Sequence, residues 1–372
     1  MARTVLITGG AGFIGSHLTD QLLDAGYSVR ILDNLSKQVH GTRRRRPAYL
    51  RSDAELIVGD VRDADAVRRA LHGVDRVCHL AAAVGVGQSM YQIDEYTSVN
   101  NLGTATLLQA LIERPVERLV VASSMSIYGE GSYRTSAGQL ATPVPRSAAQ
   151  LKAKAWEVRD ASGETLTPVP TPETKPPLLG SVYALSKYDQ ERLCWMVGEA
   201  YGIPTIALRF FNVYGPRQAL SNPYTGVLAI FAARMLNGNR PLIFEDGCQQ
   251  RDFVSVHDVA RACCTALEAV PECKAVLNVG SGQAYRVSEI AERLAAVMGR
   301  QNLTPELTGT YRVGDIRHCF ADIQLARELL AYAPRVSLEA GLVELAHWLE
   351  HEVATDQVSQ AHAELAARGL TI

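Results

Sequence analysis

Short apolar runs alternate with amphipathic segments through the first 125 residues. The apolar runs predict strands at 4–8, 28–32, 55–58, 76–80 and 118–123, and the amphipathic segments predict helices at 13–25, 63–72 and 101–113. Strands that are apolar throughout are typical of a parallel sheet covered by helices on both faces. The pattern therefore predicts an α/β fold with a doubly wound parallel sheet of the Rossmann type, to which 205–210 and 275–279 add two strands.

The pattern changes after residue 130. Proline recurs between 131 and 180, where only a short helical segment near 147–158 is predicted, so this stretch is expected to be disordered, a lid or binding loop, or a passive surface excursion. Further helices are predicted at 183–200, 226–237, 257–269, 287–298, 322–331, 338–352 and 356–368. We expect a Rossmann domain at 1–212, to which 253–280 return, and a smaller, mostly helical substrate lobe at 213–252 and 281–372.

Composition removes several classes of function. The 372 residues carry a formal net charge of -2, which gives no electrostatic reason to bind nucleic acid or an anionic membrane. No apolar run approaches the roughly 20 residues that span a bilayer, and the N-terminus lacks the shape of a signal peptide. The seven cysteines form no C-x-x-C pair, so neither a metal site nor a disulfide framework is expected. We expect a cytoplasmic protein.

A glycine-rich turn follows the first strand. Gly9, Gly12 and Gly15 have the spacing G-x-x-G-x-x-G, and Phe13 and Ile14 open the helix that follows. Such a turn lets backbone approach a pyrophosphate, which then sits at the N-terminus of the helix. The strand before it and the helix after it give the motif its required context, so a dinucleotide cofactor is predicted.

The second strand ends at an acidic residue, which selects the cofactor. Asp33, followed by Asn34, is placed to accept hydrogen bonds from the adenosine ribose and to repel a 2'-phosphate, which favours NAD over NADP. The arginine run at 43–46 is the one contrary feature, since arginine binds a 2'-phosphate. As a charge run it is otherwise a solvated loop.

Two further strand ends are predicted to face the cofactor. Asp60, before Val61, either reaches the adenine or caps the helix that starts near 63. Leu80, Ala81 and Ala82 are compact enough to let backbone pass close to a cofactor, although tight packing at a strand end predicts the same residues.

Two segments carry candidate chemistry. Ser124 and Ser126 directly follow the fifth strand, at the edge where open α/β sheets bind ligands. Tyr183 and Lys187 lie four residues apart, hence one turn apart on one helix face. A nearby ammonium and the positive nicotinamide ring together lower the pKa of a tyrosine, so Tyr183 can take the proton of a substrate hydroxyl while hydride moves to NAD. Ser124 would hold the same oxygen, and Lys187 would also bind the nicotinamide ribose.

These motifs together resemble the extended short-chain dehydrogenase/reductase family, and within it the nucleotide-sugar epimerases and dehydratases. The matching stretches are TGGAGFIG at 8–15, Asn100 with LGT, SSMSIYG at 123–129, YALSK at 183–187, RFFNVYGPRQ at 209–218 and RDFVSVHDVA at 251–260. The resemblance implies that Asn100 lies at the cofactor and that Asn212, Arg251 and Arg312 hold the nucleoside diphosphate. The stretch from 212, with LIFEDG after it, is most similar to enzymes of the dTDP-L-rhamnose and UDP-glucose 4-epimerase type.

The residues after Ser124 favour one reaction. By the same resemblance, dehydratases place an acid pair there and decarboxylases a glutamate, whereas this chain has Met125 and Ser126, which cannot transfer those protons. Epimerisation at C4 through a 4-keto intermediate is therefore predicted. A dehydratase or decarboxylase that uses an acid such as Glu130, and a non-catalytic NAD-binding regulator, are the alternatives.

Two apolar helices are informative about the oligomeric state. The helices at 101–113 and 183–200 carry apolar residues on more than one face. In relatives such helices pair into a four-helix bundle across a two-fold axis, so a homodimer is expected; burial under the rest of the chain is the alternative.

Overall fold

The computed structural model describes residues 2–42, 44–220, 222, 224, 226–312 and 314–371. The strands in the described part are β1 (Thr4–Thr8), β2 (Ser28–Asp33), β3 (Glu55–Val58), β4 (Arg76–His79), β5 (Arg118–Ser124), β6 (Ser132–Arg134), β7 (Leu140–Ala141), β8 (Thr167–Val169), β9 (Thr205–Phe210), β10 (Asn212–Tyr214), β11 (Leu242–Ile243), β12 (Gln250–Arg251), β13 (Phe253–Ser255), β14 (Ala275–Val279), β15 (Tyr285–Arg286), β16 (Glu306–Leu307) and β17 (His318–Cys319).

Helices connect these strands and dominate the last third of the chain. The α-helices are α1 (Phe13–Asp24), α2 (Lys37–His40), α3 (Ala64–Ala70), α4 (Val86–Ser89), α5 (Ile93–Tyr96), α6 (Gly103–Glu113), α7 (Ala148–Lys152), α8 (Val182–Ala200), α9 (Val227–Leu236), α10 (Val256–Glu268), α11 (Val287–Val297), α12 (Gln324–Leu330), α13 (Leu338–Leu349) and α14 (Val358–Ala367). A π-helix (Thr97–Leu102) runs into α6, and a 3-10 helix (Met125–Tyr128) follows β5.

A seven-stranded parallel sheet forms the centre, in the order β14-β9-β5-β4-β1-β2-β3. Successive side chains of a strand point to opposite faces, so Val5 and Ile7 join one core with α1, α10 and α12, while Leu6 joins another with α3, α6 and α8. Both faces are thus covered, which confirms the predicted doubly wound sheet. The order reverses between β1 and β4, and such a switch point is where this fold binds ligands.

A separate apolar core lies in the second half of the chain. It joins α9, α11 and α13 to Tyr214 and Phe253, which end β10 and begin β13. This core is built mainly from residues of the predicted substrate lobe. The domain boundaries themselves stay a prediction. No helix in the described part of the chain is long and apolar enough to cross a membrane.

The insertion, defined here as residues 131–180, is more ordered than its sequence predicts. Its β6 pairs antiparallel with β7 and β8 into a small sheet. Tyr133, Val158 and Leu166 form a small apolar core of its own. The alternative of a disordered stretch is therefore wrong, and the predicted helical segment is present as α7. The small sheet was not predicted because strands of two or three residues leave no periodic signal in a proline-rich sequence.

One buried histidine, at the carboxyl end of the interior strand β4, is expected to make the fold sensitive to acid. His79 Nδ1 lies 2.7 Å from the Thr8 hydroxyl, and its Nε2 lies 2.9 Å from the Thr104 hydroxyl. Burial lowers the pKa of His79 to about 3. The folded state therefore keeps a neutral ring where an unfolded chain, with a pKa near 6.5, takes up a proton.

We predict that protonation of His79 in the unfolded chain lowers the stability of the folded protein as the pH falls from about 6.5 toward 3. Over this range the folding equilibrium constant should fall about tenfold per pH unit. At higher pH, His79 should have no effect on stability. The measurement is urea unfolding of the wild type and of His79→Gln across this range. The variant should show the shallower acid dependence. Parallel curves for the two proteins would show that His79 is not the titrating group.

Candidate active site

The carboxyl ends of the central strands open into one cavity of about 940 Å3. Its walls come from the turn after β1, the ends of β2 to β5, α8, and residues of the second half of the chain. The residues that the sequence predicted for the site and that line this cavity are Gly9, Gly12, Phe13, Ile14, Gly15, Asp33, Asn34, Asp60, Val61, Leu80, Ala81, Ala82, Ser124, Ser126, Tyr183, Lys187, Asn212, Arg251 and Arg312. The fold thus gathers residues spread over three hundred positions.

The glycine turn has the shape that a pyrophosphate requires. Gly9 has φ +71°, and a Cβ there would lie 2.9 Å from the backbone nitrogen of Ala81. A Cβ on Gly15 would lie 2.5 Å from the carbonyl oxygen of Gly9. Helix α1 begins after Gly12 without any side-chain cap, so its first N–H groups are open to an anion. These residues fit a dinucleotide.

Asp33 lies at the end of β2 and fixes the same turn. Its Oδ2 accepts from the backbone N–H of Ala11 (3.0 Å), and its Oδ1 accepts from that of Leu35 (2.8 Å).

The basic run at 43–46 does not contribute to the described cavity. Arg43 lies outside the described residues, and 44–46 do not line the cavity. Arg46 instead donates to the backbone carbonyls of nearby residues, including that of Ala54 at 2.9 Å. The Asp33 carboxylate, without arginine beside it, fits a ribose with free hydroxyls.

Asp60 faces the cavity and does not cap a helix. Its carboxylate accepts from the Arg62 guanidinium at 2.8 and 2.9 Å and from Asn34 Nδ2 at 3.1 Å. The hydrogen bonds from Arg62 hold its pKa at about 2. The cap of α3 is Asp63, which accepts from the N–H groups of Asp65 and Ala66. The capping alternative for Asp60 is therefore wrong, because a cap must immediately precede the first turn.

Asn100 lies behind the cavity wall instead of lining it. Its Oδ1 accepts from the N–H of Ala83 (2.7 Å), and its Nδ2 donates to the carbonyl of Ala83 (3.1 Å) and to the hydroxyl of Ser186 (2.9 Å). Ala83 itself lines the cavity. Asn100 thus ties the loop after β4 to α8, the helix that carries Tyr183 and Lys187.

The candidate catalytic residues converge from β5 and α8. Ser124 ends β5, and its hydroxyl accepts from the N–H of Ser126 at 3.1 Å. Burial raises the pKa of Tyr183, and a side-chain hydrogen bond with Ser124 opposes that rise. The sequence predicted a lowered tyrosine pKa. In the protein without cofactor the pKa is raised instead, because removal of the phenol from water raises it more than the hydrogen bond with Ser124 lowers it.

Lys187 is a buried cation without a carboxylate partner among the described residues. Its Nζ donates to Gln190 Oε1 at 2.6 Å, a neutral acceptor. Burial lowers the pKa of Lys187 to about 8. The ammonium thus lies in the wall of the cavity without a carboxylate in contact with it, although Glu191 acts on it from a distance, and there it favours an anion, including a phenolate.

A second layer of residues, which the sequence analysis missed, fixes the catalytic helix to the catalytic strand. Glu191, one turn after Lys187, accepts from Arg209 at 2.7 and 3.0 Å and from the Ser123 hydroxyl at 2.6 Å. All three are buried. The available signal was spacing: Glu191 stands four residues after Lys187, on the same helix face.

Two arginines line the end of the cavity opposite the glycine turn, which we call the substrate end, and they differ in their partners. Arg312 pairs with Asp315 at 2.6 Å, and its guanidinium lies 5.4 Å from the centre of the Phe244 ring. Arg251 makes no ion pair with a described residue and is held by backbone carbonyls. Asn212 donates from Nδ2 to the carbonyl of Asp252 at 3.0 Å. Phe244 and, from α14, Ala361, His362 and Leu365 also line this end, and the sequence predicted none of them.

Glu130, the candidate for an alternative acid, does not line the cavity. Its Oε1 accepts from the N–H of Arg317 (2.7 Å), and its Oε2 accepts from the Tyr133 hydroxyl (2.7 Å) and from the N–H of His318 (3.2 Å). Both carboxylate oxygens of Glu130 are thus occupied by hydrogen bonds within the fold. Among the described residues of the insertion, only its last one, Gly180, lines the cavity, so the insertion borders the cavity and does not lie over it as a lid.

Comparison with known proteins gives a consistent picture. The family model "NAD dependent epimerase/dehydratase family" matches residues 5–154 and 160–280. The dTDP-L-rhamnose 4-epimerase of Burkholderia thailandensis is 36% identical over 355 residues, which cover 94% of this chain and 96% of that protein. A UDP-N-acetyl-alpha-D-glucosaminuronate decarboxylase of Bacillus cytotoxicus is 28% identical and covers 96% of this chain and 100% of its own.

A solved structure is similar over the same length. The UDP-glucuronic acid 4-epimerase of Bacillus cereus, in complex with UDP-glucuronic acid and NAD, superposes with a TM-score of 0.76 at 29% identity. The match covers 93% of this chain and 99% of that one.

We predict that Asp33→Ala changes cofactor preference. If Asp33 accepts the ribose hydroxyls, as its position predicts, its loss should weaken NAD binding about 10- to 100-fold, and loss of its repulsion should strengthen NADP binding. The measurement is the ratio of the two dissociation constants, with Asp53→Ala, an exposed carboxylate, as control. A disturbed turn would weaken both cofactors equally and leave the ratio unchanged, which would contradict the assigned role.

Proposed function

The chain belongs to the NAD-dependent epimerase/dehydratase family, and we propose that it inverts C4 of a sugar carried on a nucleoside diphosphate, through a transient 4-keto intermediate. Membership confirms the resemblance predicted from the motifs, with NAD as the cofactor. The observation that supports epimerisation is the convergence of Ser124, Tyr183 and Lys187 on one cavity, with Met125 and Ser126 where an acid pair would serve other reactions.

The chain's own residues divide the work. Tyr183 takes the proton of the C4 hydroxyl, Ser124 hydrogen-bonds the same oxygen, and the Lys187 ammonium stabilises the phenolate. NAD held by the glycine turn and Asp33 would supply the hydride acceptor for C4 and, after the 4-keto sugar turns over in the cavity, the hydride donor to its other face. The proton goes back from Tyr183 to the C4 oxygen, so the substrate leaves with unchanged mass and inverted configuration.

Two features disfavour elimination or decarboxylation. Glu130 is engaged by two backbone N–H groups and by Tyr133, away from the cavity. The carboxylates that do line the described cavity are Asp33, Asp60 and Glu95, near the cofactor turn or bonded to Arg62, and Asp315, paired with Arg312. The similarity to a decarboxylase keeps that reaction as the alternative, to be decided by product analysis.

The substrate end supports an anionic ligand. Arg251 presents a guanidinium that no described carboxylate neutralises, and guanidinium binds phosphate oxygens in a bidentate manner. Arg312 and Asn212 line the same end of the cavity. We infer that the diphosphate binds between these residues and that the nucleoside lies toward Phe244.

We also infer a homodimer built on α8 and on the π-helix that runs into α6. Leu102, Leu185 and Met196 on these elements are large apolar side chains about half exposed to water. An apolar surface on two adjacent helices is typical of a buried helix–helix interface. Sedimentation velocity tests this inference. We expect a dimer that Leu185→Glu dissociates, and a monomeric wild type would contradict the inference.

The function is tested by product analysis. The purified protein with NAD is incubated with UDP-, dTDP-, GDP- and CDP-sugars, and products are followed by NMR and mass spectrometry. A 4-inverted sugar of unchanged mass is expected. Loss of 18 mass units or of carbon dioxide would instead establish the alternative reactions.

We predict that Tyr183→Phe lowers kcat by about a thousandfold, since positioned general bases contribute on the order of 10² to 10⁴. Binding of NAD should stay within about twofold, because the ring is kept. Tyr188→Phe, on the same helix, is the matched control and should keep wild-type activity. A Tyr183→Phe enzyme of near wild-type rate would show that another group is the base.

A further inference from the structure

We propose that the insertion positions Arg251, and so sets the affinity of the cavity for the diphosphate of the substrate. Its residues Glu157 and Arg146 act through the segment 315–318, defined here as the brace. The substrate's identity rests on the proposed function, whereas the mechanical link rests on contacts of the chain itself. Glu157 and Arg146 are positioning residues, since neither lines the cavity.

Arg251 is oriented by backbone and not by a counter-ion. Its Nη1 donates to the carbonyls of Gln250 and Arg317, each at 2.9 Å, and its Nη2 donates to the carbonyl of Ile316. Carbonyl oxygens fix the plane of a guanidinium without cancelling its charge. The direction of Arg251 therefore depends on where the brace holds these two carbonyls.

The brace is itself held by the Arg317 side chain, which is 0% exposed. Its Nε and Nη2 donate to Glu157 Oε1 at 3.2 and 2.5 Å. Its Nη1 donates to Glu245 at 2.8 Å and to Asp246 at 2.6 Å. Three carboxylates thus surround one guanidinium, and the insertion supplies one of them.

The insertion makes a second contact through Arg146. Its Nη1 donates to Glu245 Oε1 at 2.8 Å, and its Nη2 donates to the carbonyl of Asp315 at 3.4 Å. Glu245 therefore bridges Arg146 and Arg317. The backbone adds to this, since Glu130, just before the insertion, accepts from the N–H of Arg317. The brace is fixed from both its side chain and its backbone.

Glu157 is the point where this network can be altered without breaking the core. Its side chain is 46% exposed, and its second oxygen accepts from His318 Nε2 at 3.2 Å. Without its charge, Arg317 keeps Glu245 and Asp246 and is drawn toward them. The carbonyls of 316 and 317 then move, and the Arg251 guanidinium moves with them.

The test compares Glu157→Gln with the wild type, both loaded with NAD. Calorimetry first finds which of UDP, dTDP, GDP and CDP binds the wild type most tightly, and that nucleotide is the probe. The control is Glu164→Gln, an insertion residue whose side chain, among the described contacts, accepts from the N–H of Ser136 and touches neither Arg317 nor the brace. Thermal midpoints establish that all three proteins are folded. Arg146→Gln is the second variant, should Glu157→Gln fail to fold.

We expect Glu157→Gln to weaken the probe about tenfold while NAD binding stays within twofold and the control binds as the wild type does. With a substrate, KM should rise by the same factor and kcat should stay within twofold; a merely structural defect would instead lower kcat through loss of active enzyme. Unchanged probe affinity in both variants would overturn the inference, as would a wild type that binds none of the four nucleotides.

These outcomes separate the two proposals. Tenfold weaker probe binding in a protein that inverts no sugar would support the positioning role and refute the epimerase function. Inversion by the wild type, with equal KM in Glu157→Gln and Arg146→Gln, would support the function and refute the positioning role.

Discussion

The buried ion pair between Arg209 and Glu191 holds together three elements, two of which carry the candidate catalytic residues. Arg209 lies on β9, Glu191 on α8, and the same carboxylate accepts from Ser123 at the end of β5. Ser124 directly follows Ser123, and Lys187 stands one turn before Glu191. Loss of one partner would leave the other buried and unpaired, at a cost of about 3–5 kcal/mol, and would free the catalytic helix from the catalytic strand.

Charge in the cavity follows a common pattern. Lys187 is held by Gln190 and Arg251 by backbone carbonyls, so both cations are oriented by neutral acceptors. The N-terminus of α1, which has no side-chain cap, adds a third positive region. Positive groups fixed in place by neutral acceptors are what the proposed diphosphate ligand would require. Arg312, paired with Asp315, is the exception.

Much of the fold and of the cofactor turn was predictable because the signals are local. Apolar runs of four to six residues predicted the strands of the central sheet, and glycine spacing predicted the turn at Gly9, Gly12 and Gly15. The positions of Asn100 and of Glu130 were not predictable. Each depends on hydrogen bonds to residues far along the chain, such as Ser186 and Arg317, and no spacing rule encodes such contacts. The small sheet of the insertion was not predicted either, because its strands are too short to show a periodic pattern of apolar residues.

The network around Arg317 also has a consequence for how the protein is made. The contacts of Arg317 with Glu157 and Glu130 span 160 and 187 residues. A ribosome therefore exposes the insertion well before it has synthesised the guanidinium that the insertion needs, and contacts of such sequence separation form late in folding. Until residue 317 emerges, Glu157 and Glu130 lack this partner, and the end of the cavity that Arg251 lines cannot take its final form. A nascent chain can thus complete its glycine turn long before the opposite end of the cavity is in place.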